Sequence, residues 1–495
     1  MNDATSREPS ERLLRAILGF VAALLALSVV LQNPGGQPAF FEPGAVFHYY
    51  LGAKYMNEIG PFDFYACAVA ADAESETIQT WQAETPVRDL RTYALAPAGT
   101  LHCPRDRFTP QRWSAFVHDV SWVTATAAPS GWDETITDKG YNATPFLSVV
   151  FGRLAAVVPI DRWRARFLLF NLDMLFVAIA IGIVWSSAGA TIALLTLLLC
   201  VGYFGNFGRI GGNFGQYAWF PCLALAVAAW RARRPALGGG ALGLAAGLQA
   251  FPVLLAIPIV IGGVRAVCRR DRDGWKRTVM FFASLAVALG CCVAVGSTSA
   301  RGPAAWQEWR EKIAVHSSYL RGEVFDIGLP NLIADIVSSD RASSESYTED
   351  TPHSAARNAA LGTHVRLWRF CAVVLILLTC AAAWCVPEEA LFACGFVPIY
   401  ALLALSPYYY FALALLPFMA VGMARSQWAI LVGLLVIVLG VHLAMWGGSY
   451  ISFVFARHFA GAVLIASFMT LTALVPLGGR VFGARTNADG PGCHV

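Results

Sequence analysis

The sequence predicts an all-α polytopic membrane protein of about 12 transmembrane helices, two of them short, with a large outer-face first loop. Of its 495 residues, 57% are hydrophobic and only 14% are charged, which is too little charge to cover a soluble protein of this length. Apolar runs long enough to cross a bilayer recur along most of the chain. The segment after the first run is the least hydrophobic part, and it holds many aromatic residues and prolines.

Charge and cysteine usage exclude several classes of protein. The formal net charge is only +4, and the basic residues lie in short clusters between the apolar runs. This distribution gives no case for nucleic-acid binding. The cysteines show no C-x-x-C spacing, so we expect no metal and no cofactor.

The first apolar run, Ile17 to Leu31, follows Arg7, Arg12 and Arg15. No small-residue cleavage site comes after it, because the next residues are glutamine, asparagine and proline. We therefore predict an uncleaved signal-anchor helix within residues 1–31, with its N-terminus in the cytosol.

Residues 32–166 predict an ordered subdomain on the outer face, because they are too rich in aromatic residues to be disordered. Val46 to Ile59 has an apolar stripe typical of a helix that lies in the membrane interface, formed by Phe47, Tyr50, Leu51 and Tyr55. Thr144 to Ile160 is predicted as an interfacial or re-entrant helix. If it crossed the membrane, Arg231 to Arg234 would lie outside, against the positive-inside rule.

The remaining chain predicts an N-terminal transmembrane bundle (167–296), a second outer loop (297–365), a C-terminal bundle (366–478) and a cytosolic tail (479–495). Both termini are expected in the cytosol, with the chain in the plasma membrane. The predicted spans are Phe167–Trp185, Thr191–Phe204, Tyr217–Trp230, Leu237–Gln249, Phe251–Val264, Val279–Val295, Leu367–Cys385, Ala390–Leu405, Phe411–Ala424, Trp428–Trp446 and His458–Leu477. Leu237–Gln249 and Phe251–Val264 are short and form a hairpin broken at Pro252.

Cys67 and Cys103 are the two cysteines of the outer loop, whereas the other cysteines before the C-terminal tail lie in or beside apolar runs. The outer side of a bacterial membrane is oxidising. The sequence therefore predicts a disulfide between Cys67 and Cys103, with two separate buried thiols as the alternative.

Polar groups near a membrane are costly and are candidates for function. The predicted topology places a set of them at the outer surface, where we expect most of them to line one cavity. The candidate catalytic carboxylates are Glu42 and Asp89. The candidate substrate-binding residues are His48, Tyr49, Lys54, Arg88, Arg209, Asn213, Gln216, Gln249 and His316.

Each candidate has a structural alternative. The His-Tyr-Tyr run can be an aromatic belt with a snorkelling Lys54, and Arg88 with Asp89 can be a structural ion pair. The glycine-rich stretch around Arg209 can be an outer turn, and Pro252 a simple kink. A lone loop histidine such as His316 is usually solvated, and Tyr408 to Tyr410 are typical of an interface belt.

Six stretches together resemble the multi-pass GT-C glycosyltransferase superfamily, in particular bacterial polyprenyl-phosphate-mannose-dependent transferases. They are FHYYLGAKY (Phe47–Tyr55), RDLRT (Arg88–Thr92), RFTPQRW (Arg107–Trp113), GYNATP (Gly140–Pro145), GRIGGNFGQ around Arg209, and AFP (Ala250–Pro252). Each motif is weak alone, but they follow one another in order over most of the chain. A GT-C-like arrangement is therefore the expected fold.

The resemblance implies an inverting transfer of a sugar from a polyprenyl-phosphate donor to a lipid or glycan acceptor at the outer face of the plasma membrane. A loop carboxylate is expected to act as general base, and arginine or lysine to steady the departing phosphate. Two positions depart from the family pattern: no acid stands at Gly44 to Val46, and Gln249 replaces a basic residue. The alternatives are a transporter or flippase of a lipid-linked molecule, favoured by Asp173 within a span, and a catalytically silent partner subunit that binds lipid-linked sugar.

Overall fold

A computed structural model of the protein describes residues 43–75, 80–125, 132–202, 212–319, 328–338 and 352–422, with positions 16 and 19. Within these residues the chain is mostly helical, and the strands are a short antiparallel pair, β1 (Pro86–Arg88) and β2 (Leu95–Pro97). The helical fold class is thereby confirmed. The signal-anchor helix, the last two predicted spans and the cytosolic tail lie outside the described residues.

The outer-loop segment is built from short helices around an aromatic core. Its helices are α1 (Pro43–Ala45), a π-helical turn (Val46–Leu51), α2 (Gly52–Lys54), α3 (Met56–Ile59), α4 (Phe64–Asp72), α5 (Pro110–Ala125), α6 (Trp132–Thr137) and α7 (Pro145–Val157), with 3₁₀ turns at Ala98–Thr100 and Arg105–Arg107. The two longest, α5 and α7, both begin at a Thr-Pro pair. Thr109 and Thr144 each accept a backbone N–H of the first turn, and the following proline pre-sets the helical φ.

The segment from Val46 to Ile59 differs from the prediction of one interfacial helix. It forms a π-helical turn and two short α-helices, interrupted at Tyr55. Its apolar stripe is fully buried by the protein itself, because the Phe47 ring packs against Phe64 at 4.8 Å and Trp132 at 5.6 Å. The stripe therefore forms the core of the outer segment and is not available to a membrane.

Helix α7 is one of the shorter apolar helices, and its predicted interfacial position stays a prediction. It has 13 residues, which is about 20 Å and short of the roughly 30 Å bilayer core. A Cβ on Gly152 would lie 2.4 Å from the Ala53 carbonyl oxygen, so the glycine allows α7 to touch the backbone of α2. On the opposite side, Val150 and Val157 are exposed.

The bundle that follows consists of longer apolar helices. They are α8 (Trp163–Phe170), α9 (Leu172–Ala188), α10 (Ala190–Gly202), α11 (Trp219–Arg231), α12 (Pro235–Leu248), α13 (Ile257–Cys268), α14 (Arg272–Gly296), α15 (Ala304–Tyr319), α16 (Leu329–Val337), α17 (Pro352–Thr363), α18 (Val365–Cys385), α19 (Phe396–Leu402) and α20 (Leu416–Met419). Three 3₁₀ segments join them, at Phe251–Ala256, Glu388–Gly395 and Pro407–Leu415.

Several predicted spans are broken helices. The span expected over Phe167–Trp185 is split at Asn171 into α8 and α9, and the two spans after Cys385 each begin as a 3₁₀ segment. The break near Pro252 is confirmed, since α12 ends at Leu248 and Gln249 is extended. Pro252 then occupies the first turn of the next helical segment, where a missing N–H costs nothing.

Among the described residues, three helical segments are long and apolar enough to cross a membrane: Phe251–Cys268, Arg272–Gly296 and Val365–Cys385. Shorter apolar helices surround them, among them α9, α10, α11 and α12. Val287 of α14 and Phe370 of α18 are both 67% exposed. Large apolar side chains on an outer face are typical of lipid contact, so the helices indicate a membrane-embedded protein. The number of crossings stays a prediction.

The two ends of the bundle differ in chemistry. At one end, arginines cap helix termini: Arg231 donates to the Phe418 and Val421 carbonyls, and Arg265 donates to three carbonyls at the end of α18. At the other end of α11, Trp219 packs on Phe251, which in turn contacts Tyr409. The two basic clusters predicted to be cytosolic thus share one end of the bundle. Which side of the membrane that end faces stays a prediction.

The predicted disulfide between Cys67 and Cys103 is present, and it ties α4 to the loop before α5. It closes a loop with a sequence separation of 36 residues. We expect the double variant Cys67→Ser/Cys103→Ser to lower the free energy of unfolding by about 3 to 4 kcal/mol, because the unfolded chain gains conformational entropy when the cross-link is removed. Chemical unfolding in detergent measures it. Cys291→Ser, which removes an exposed free thiol, is the control; equal stability of the double variant and wild type would contradict the expectation.

Candidate functional site

The strongest candidate site is a recess where the outer segment meets the bundle, called here the His48 recess. One wall of the recess is formed by residues of the outer segment and of α15, namely His48, Tyr49, Asp138, Tyr141, Asn142 and His316. Its other wall is the loop of residues 404–409 that leads into the 3₁₀ segment at Pro407–Leu415. The cavity volume is about 80 Å³. Sites that enclose a whole small molecule have roughly 300 to 1,000 Å³, so this recess holds only part of a ligand and leaves the rest outside.

A carboxylate and an imidazole face each other in this recess. The Asp138 Oδ2 lies 3.8 Å from the His48 Nε2, and the Asp138 side chain is 44% exposed. The same His48 nitrogen is 2.7 Å from the Tyr65 hydroxyl, which fixes the ring. The other Asp138 oxygen accepts the backbone N–H of Lys139 at 2.5 Å. Asp138 is thus oriented by its neighbours while one side of it remains open to solvent.

The opposite rim is polar and half-buried. The His316 Nδ1 lies 3.1 Å from the Tyr93 hydroxyl and 3.4 Å from the Asn142 amide nitrogen. The Asn142 Oδ1 is buried, yet among the described residues it accepts no hydrogen bond. A buried acceptor of this kind is costly unless a ligand or water donates to it. It is therefore a candidate partner for a ligand hydroxyl.

Burial and nearby cations keep His316 neutral. Burial, with smaller contributions from Lys139 and Lys312, lowers the pKa of His316 to about 3, against the opposing effect of Asp138. A neutral imidazole offers one donor and one acceptor nitrogen. Because Nδ1 is held by Tyr93 and Asn142, the ring is positioned as a hydrogen-bonding group and not as a cation.

Lys312 contacts residues that lie next to the recess. Its amine donates to the Lys139 carbonyl at 3.1 Å and lies 4.4 Å from the centre of the Tyr93 ring. The side chain is fully buried, and burial lowers the pKa of Lys312 from 10.5 to about 7. Asp138 and Asp89 act in the opposite direction, and Arg88 in the same direction.

This burial predicts a pH dependence of stability. Between about pH 7 and 10.5 the unfolded chain keeps the Lys312 proton that the folded chain has lost. Stability therefore rises with pH in this window, by up to about 1.4 kcal/mol per pH unit from this residue. We expect Lys312→Met to flatten the rise, measured by thermal unfolding across the window, whereas exposed Lys276→Met leaves it unchanged. A slope that survives Lys312→Met would contradict this account.

A second recess, called here the Arg153 recess, lies on the other side of Tyr141. It has a cavity volume of about 280 Å³ and lies between α2, α3, α7 and the C-terminal end of α14. Its charged and polar lining consists of Lys54, Asn57, Glu58, Arg112, Ser148, Arg153, Thr298 and Ser299. The Tyr141 hydroxyl lies 3.0 Å from the Ser148 Oγ, so this pair separates the two recesses.

The structure brings His48, Tyr49 and His316 to one recess, but it does not bring most of the predicted site residues there. Arg88 is a correction: it is 1% exposed, and its guanidinium donates to the Thr137 and Tyr93 carbonyls. Asp89 is another, because its carboxylate accepts from the Arg91 N–H and the Thr92 hydroxyl and so closes a turn. Both residues shape the outer segment and line neither recess.

Lys54 also differs from the prediction. Its amine forms a buried ion pair with Asp119 at 2.6 Å and donates to the Tyr50 hydroxyl at 3.2 Å. The Tyr55 hydroxyl donates to the same Asp119 oxygen at 2.8 Å. Lys54 therefore borders the Arg153 recess, and its charge is already neutralised.

The polar residues of the glycine-rich stretch and of the broken hairpin are buried against protein. The Asp173 carboxylate accepts the backbone N–H groups of Gln216 and Tyr217, and Asn213 is fully buried. Gln249 is 7% exposed, ends α12 and lines neither recess. None of these three residues lines either recess, and a ligand role for them stays a prediction. Glu42 and Arg209 lie outside the described residues.

The structure adds Asp138 and Asn142, which the sequence did not single out. Asp138 stands just before Gly140, and Asn142 lies inside the GYNATP motif quoted for the resemblance. Gly140 has a φ of +72°, and a Cβ there would lie 2.8 Å from Leu90. This glycine allows the turn that carries both residues into the recess. The motif was therefore the sequence feature that pointed to Asn142, whereas Asp138 lies two residues before it.

Comparisons with known proteins add no assignment. The chain matches no protein-family model, no curated protein and no solved structure. The site must therefore be interpreted from its own residues.

Proposed function

We propose that the chain is a membrane glycosyltransferase that moves a sugar from a polyprenyl-phosphate-linked donor to an acceptor hydroxyl at the outer face of the plasma membrane. The observation that carries the proposal is the pairing of Asp138 with His48 inside a recess at the junction of the outer segment and the bundle. At such a junction, a lipid-linked donor can reach polar catalytic groups without leaving the membrane.

The walls of the recess suit a carbohydrate. Four tyrosines line it, namely Tyr49, Tyr141, Tyr408 and Tyr409. Aromatic rings present an apolar face together with a polar handle, which matches the two kinds of surface of a sugar ring. The Asn142 Oδ1 and the two imidazoles offer hydrogen bonds to hydroxyl groups.

The proposed reaction is a single displacement. Asp138 removes the proton of the acceptor hydroxyl as that oxygen bonds to the anomeric carbon of the donor sugar. The bond between this carbon and the phosphate oxygen breaks, and the phosphate leaves with the electron pair. Attack opposite to the leaving group inverts the configuration at the anomeric carbon. In this proposal Asp138 takes the role first expected of Glu42 or Asp89.

Transport remains the second class of function, but no described residue favours it. The carboxylate that suggested it, Asp173, accepts two backbone N–H groups within the protein. A coupling carboxylate would instead be expected to face a water-filled cavity or a substrate.

The proposal is tested by transfer in vitro. The full-length protein, purified into proteoliposomes, is given polyprenyl phosphate carrying labelled mannose, glucose, galactose or arabinose in turn, with lipid extract as acceptor. One donor should lose its label to a product of inverted configuration. If every donor stays intact while the protein binds one of them, the silent partner subunit becomes the better interpretation.

A further inference from the structure

We propose that the Arg153 recess binds the phosphate group of an anionic bilayer phospholipid, which is held there and not consumed. This inference goes beyond the transfer reaction, because the recess is separate from Asp138. It rests on one guanidinium without a carboxylate partner, on one unsatisfied hydroxyl beside it, and on the apolar surface around it.

One cation of the recess has no carboxylate partner among the described residues. Arg112 is neutralised by Glu58, to which it donates at 2.6 and 3.1 Å. Lys54 is neutralised by Asp119 at 2.6 Å. Arg153 is exposed and donates to the Thr298 hydroxyl at 3.0 Å, with no carboxylate in ion-pair distance among the described residues. One spare guanidinium matches the single negative charge of a phosphodiester and offers it paired donors.

One hydroxyl group beside Arg153, that of Ser299, completes a phosphate site, and a second one holds the guanidinium. The Thr298 hydroxyl accepts from Arg153 and donates to the Val295 carbonyl at 2.7 Å. Thr298 and Ser299 follow the C-terminal end of α14 and line the recess. The Ser299 Oγ is buried and has no hydrogen-bond partner among the described residues. A phosphate oxygen placed between Arg153 and this hydroxyl would satisfy it, whereas an empty recess leaves it costly.

The surroundings of the recess are those of a lipid. Val150, Arg153 and Val157 lie three and four residues apart and so share one face of α7. Val150 is 41% and Val157 is 77% exposed, and Val293 of α14 is 47% exposed. Acyl chains can therefore lie along α7 and α14 while the phosphate reaches Arg153.

The position of Tyr141 favours a bilayer lipid over the sugar donor. A sugar bonded to a phosphate in this recess would have to pass the Tyr141–Ser148 contact to reach Asp138. Gly52 leaves no space on the other side of the ring, since a Cβ there would lie 2.6 Å from Tyr141. The phosphate held by Arg153 and the reacting sugar are therefore different molecules.

Native mass spectrometry of the full-length protein tests the inference. Phosphatidylglycerol and a polyprenyl-phosphate mannose are titrated separately into wild type, Arg153→Gln, Thr298→Val and Arg310→Gln. We expect phosphatidylglycerol to bind wild type, to bind Arg153→Gln about ten-fold or more weakly, and to bind Thr298→Val with a smaller loss. Arg310→Gln, which changes an exposed arginine outside the recess, should bind as wild type does.

Two results would overturn the inference. In the first, phosphatidylglycerol binds wild type and Arg153→Gln equally. In the second, Arg153→Gln loses polyprenyl-phosphate mannose and keeps phosphatidylglycerol, which would make the recess a donor site. Neither result depends on catalysis, so failure here is distinct from failure of the proposed transfer.

Discussion

Asp138→Asn is expected to reduce sugar transfer by about 10²- to 10⁴-fold, because it removes the general base while keeping the volume of the side chain. The amide still accepts the Lys139 N–H that orients Asp138 in the wild type. Folding and donor binding should therefore remain. The measurement is the initial rate of label transfer in proteoliposomes at saturating donor.

Asp89→Asn is the matched control for that experiment. The sequence indicated two candidate catalytic carboxylates, and Asp89 is the one that lies within the described residues. Asp89 closes a turn and lines neither recess. Its replacement should change the rate by only a few-fold, within the reach of a lost turn contact. If Asp89→Asn abolished transfer while Asp138→Asn did not, the base would have to be reassigned.

Asp119→Asn is expected to lower the free energy of unfolding by about 3 to 5 kcal/mol, because it leaves the Lys54 cation buried without its charge partner. The Lys54 and Asp119 side chains are only 11% and 5% exposed, and Tyr55 donates to the same carboxylate oxygen. Chemical unfolding in detergent, followed by tryptophan fluorescence, measures the change.

Two further variants separate this effect from a loss of charge in general. Arg105→Gln breaks a pair with Glu74 in which the arginine side chain is 53% exposed, and it should cost about 1 kcal/mol or less. The double change Lys54→Met/Asp119→Leu removes both charges and should recover much of the loss. An Asp119→Asn protein as stable as wild type would show that Lys54 is not held by this pair, and a ligand role for Lys54 would return.

The sequence predicted the membrane class, because apolar length is a local property of the chain. It also selected several site residues by their predicted outer-side location, which stays a prediction. His48, Tyr49 and His316 were selected on that basis and meet in one recess. The disulfide could also be predicted from the sequence, since Cys67 and Cys103 are the two cysteines of the hydrophilic loop.

The partners of the polar side chains could not be predicted in the same way. Arg88 has the charge of a phosphate ligand, but its donors are taken by carbonyls, one of them 49 residues away in sequence. Lys54 is neutralised by an aspartate 65 residues away. The sequence shows that a charged side chain is present, and only the fold shows whether another group of the protein already pairs with it.

The helix breaks were hidden for a related reason. Hydropathy averages over a window, so the interruption at Asn171 leaves the apolar run almost unchanged. The 3₁₀ segment at Pro407–Leu415 has no charged residue, and the one at Glu388–Gly395 has none after its first two glutamates, so both continue into the apolar helices that follow. Because the loop before Pro407 forms one wall of the His48 recess, these irregular segments also determine the shape of the site.

The most direct test of the central claim is mass spectrometry of lipid-linked sugars and envelope glycans from a strain that lacks this chain. The account predicts that one polyprenyl-phosphate sugar accumulates and that one glycan lacks a single sugar. It also predicts that the wild-type gene restores the glycan, whereas the Asp138→Asn gene does not. An unchanged glycan profile in the deletion strain, or full restoration by Asp138→Asn, would contradict the account.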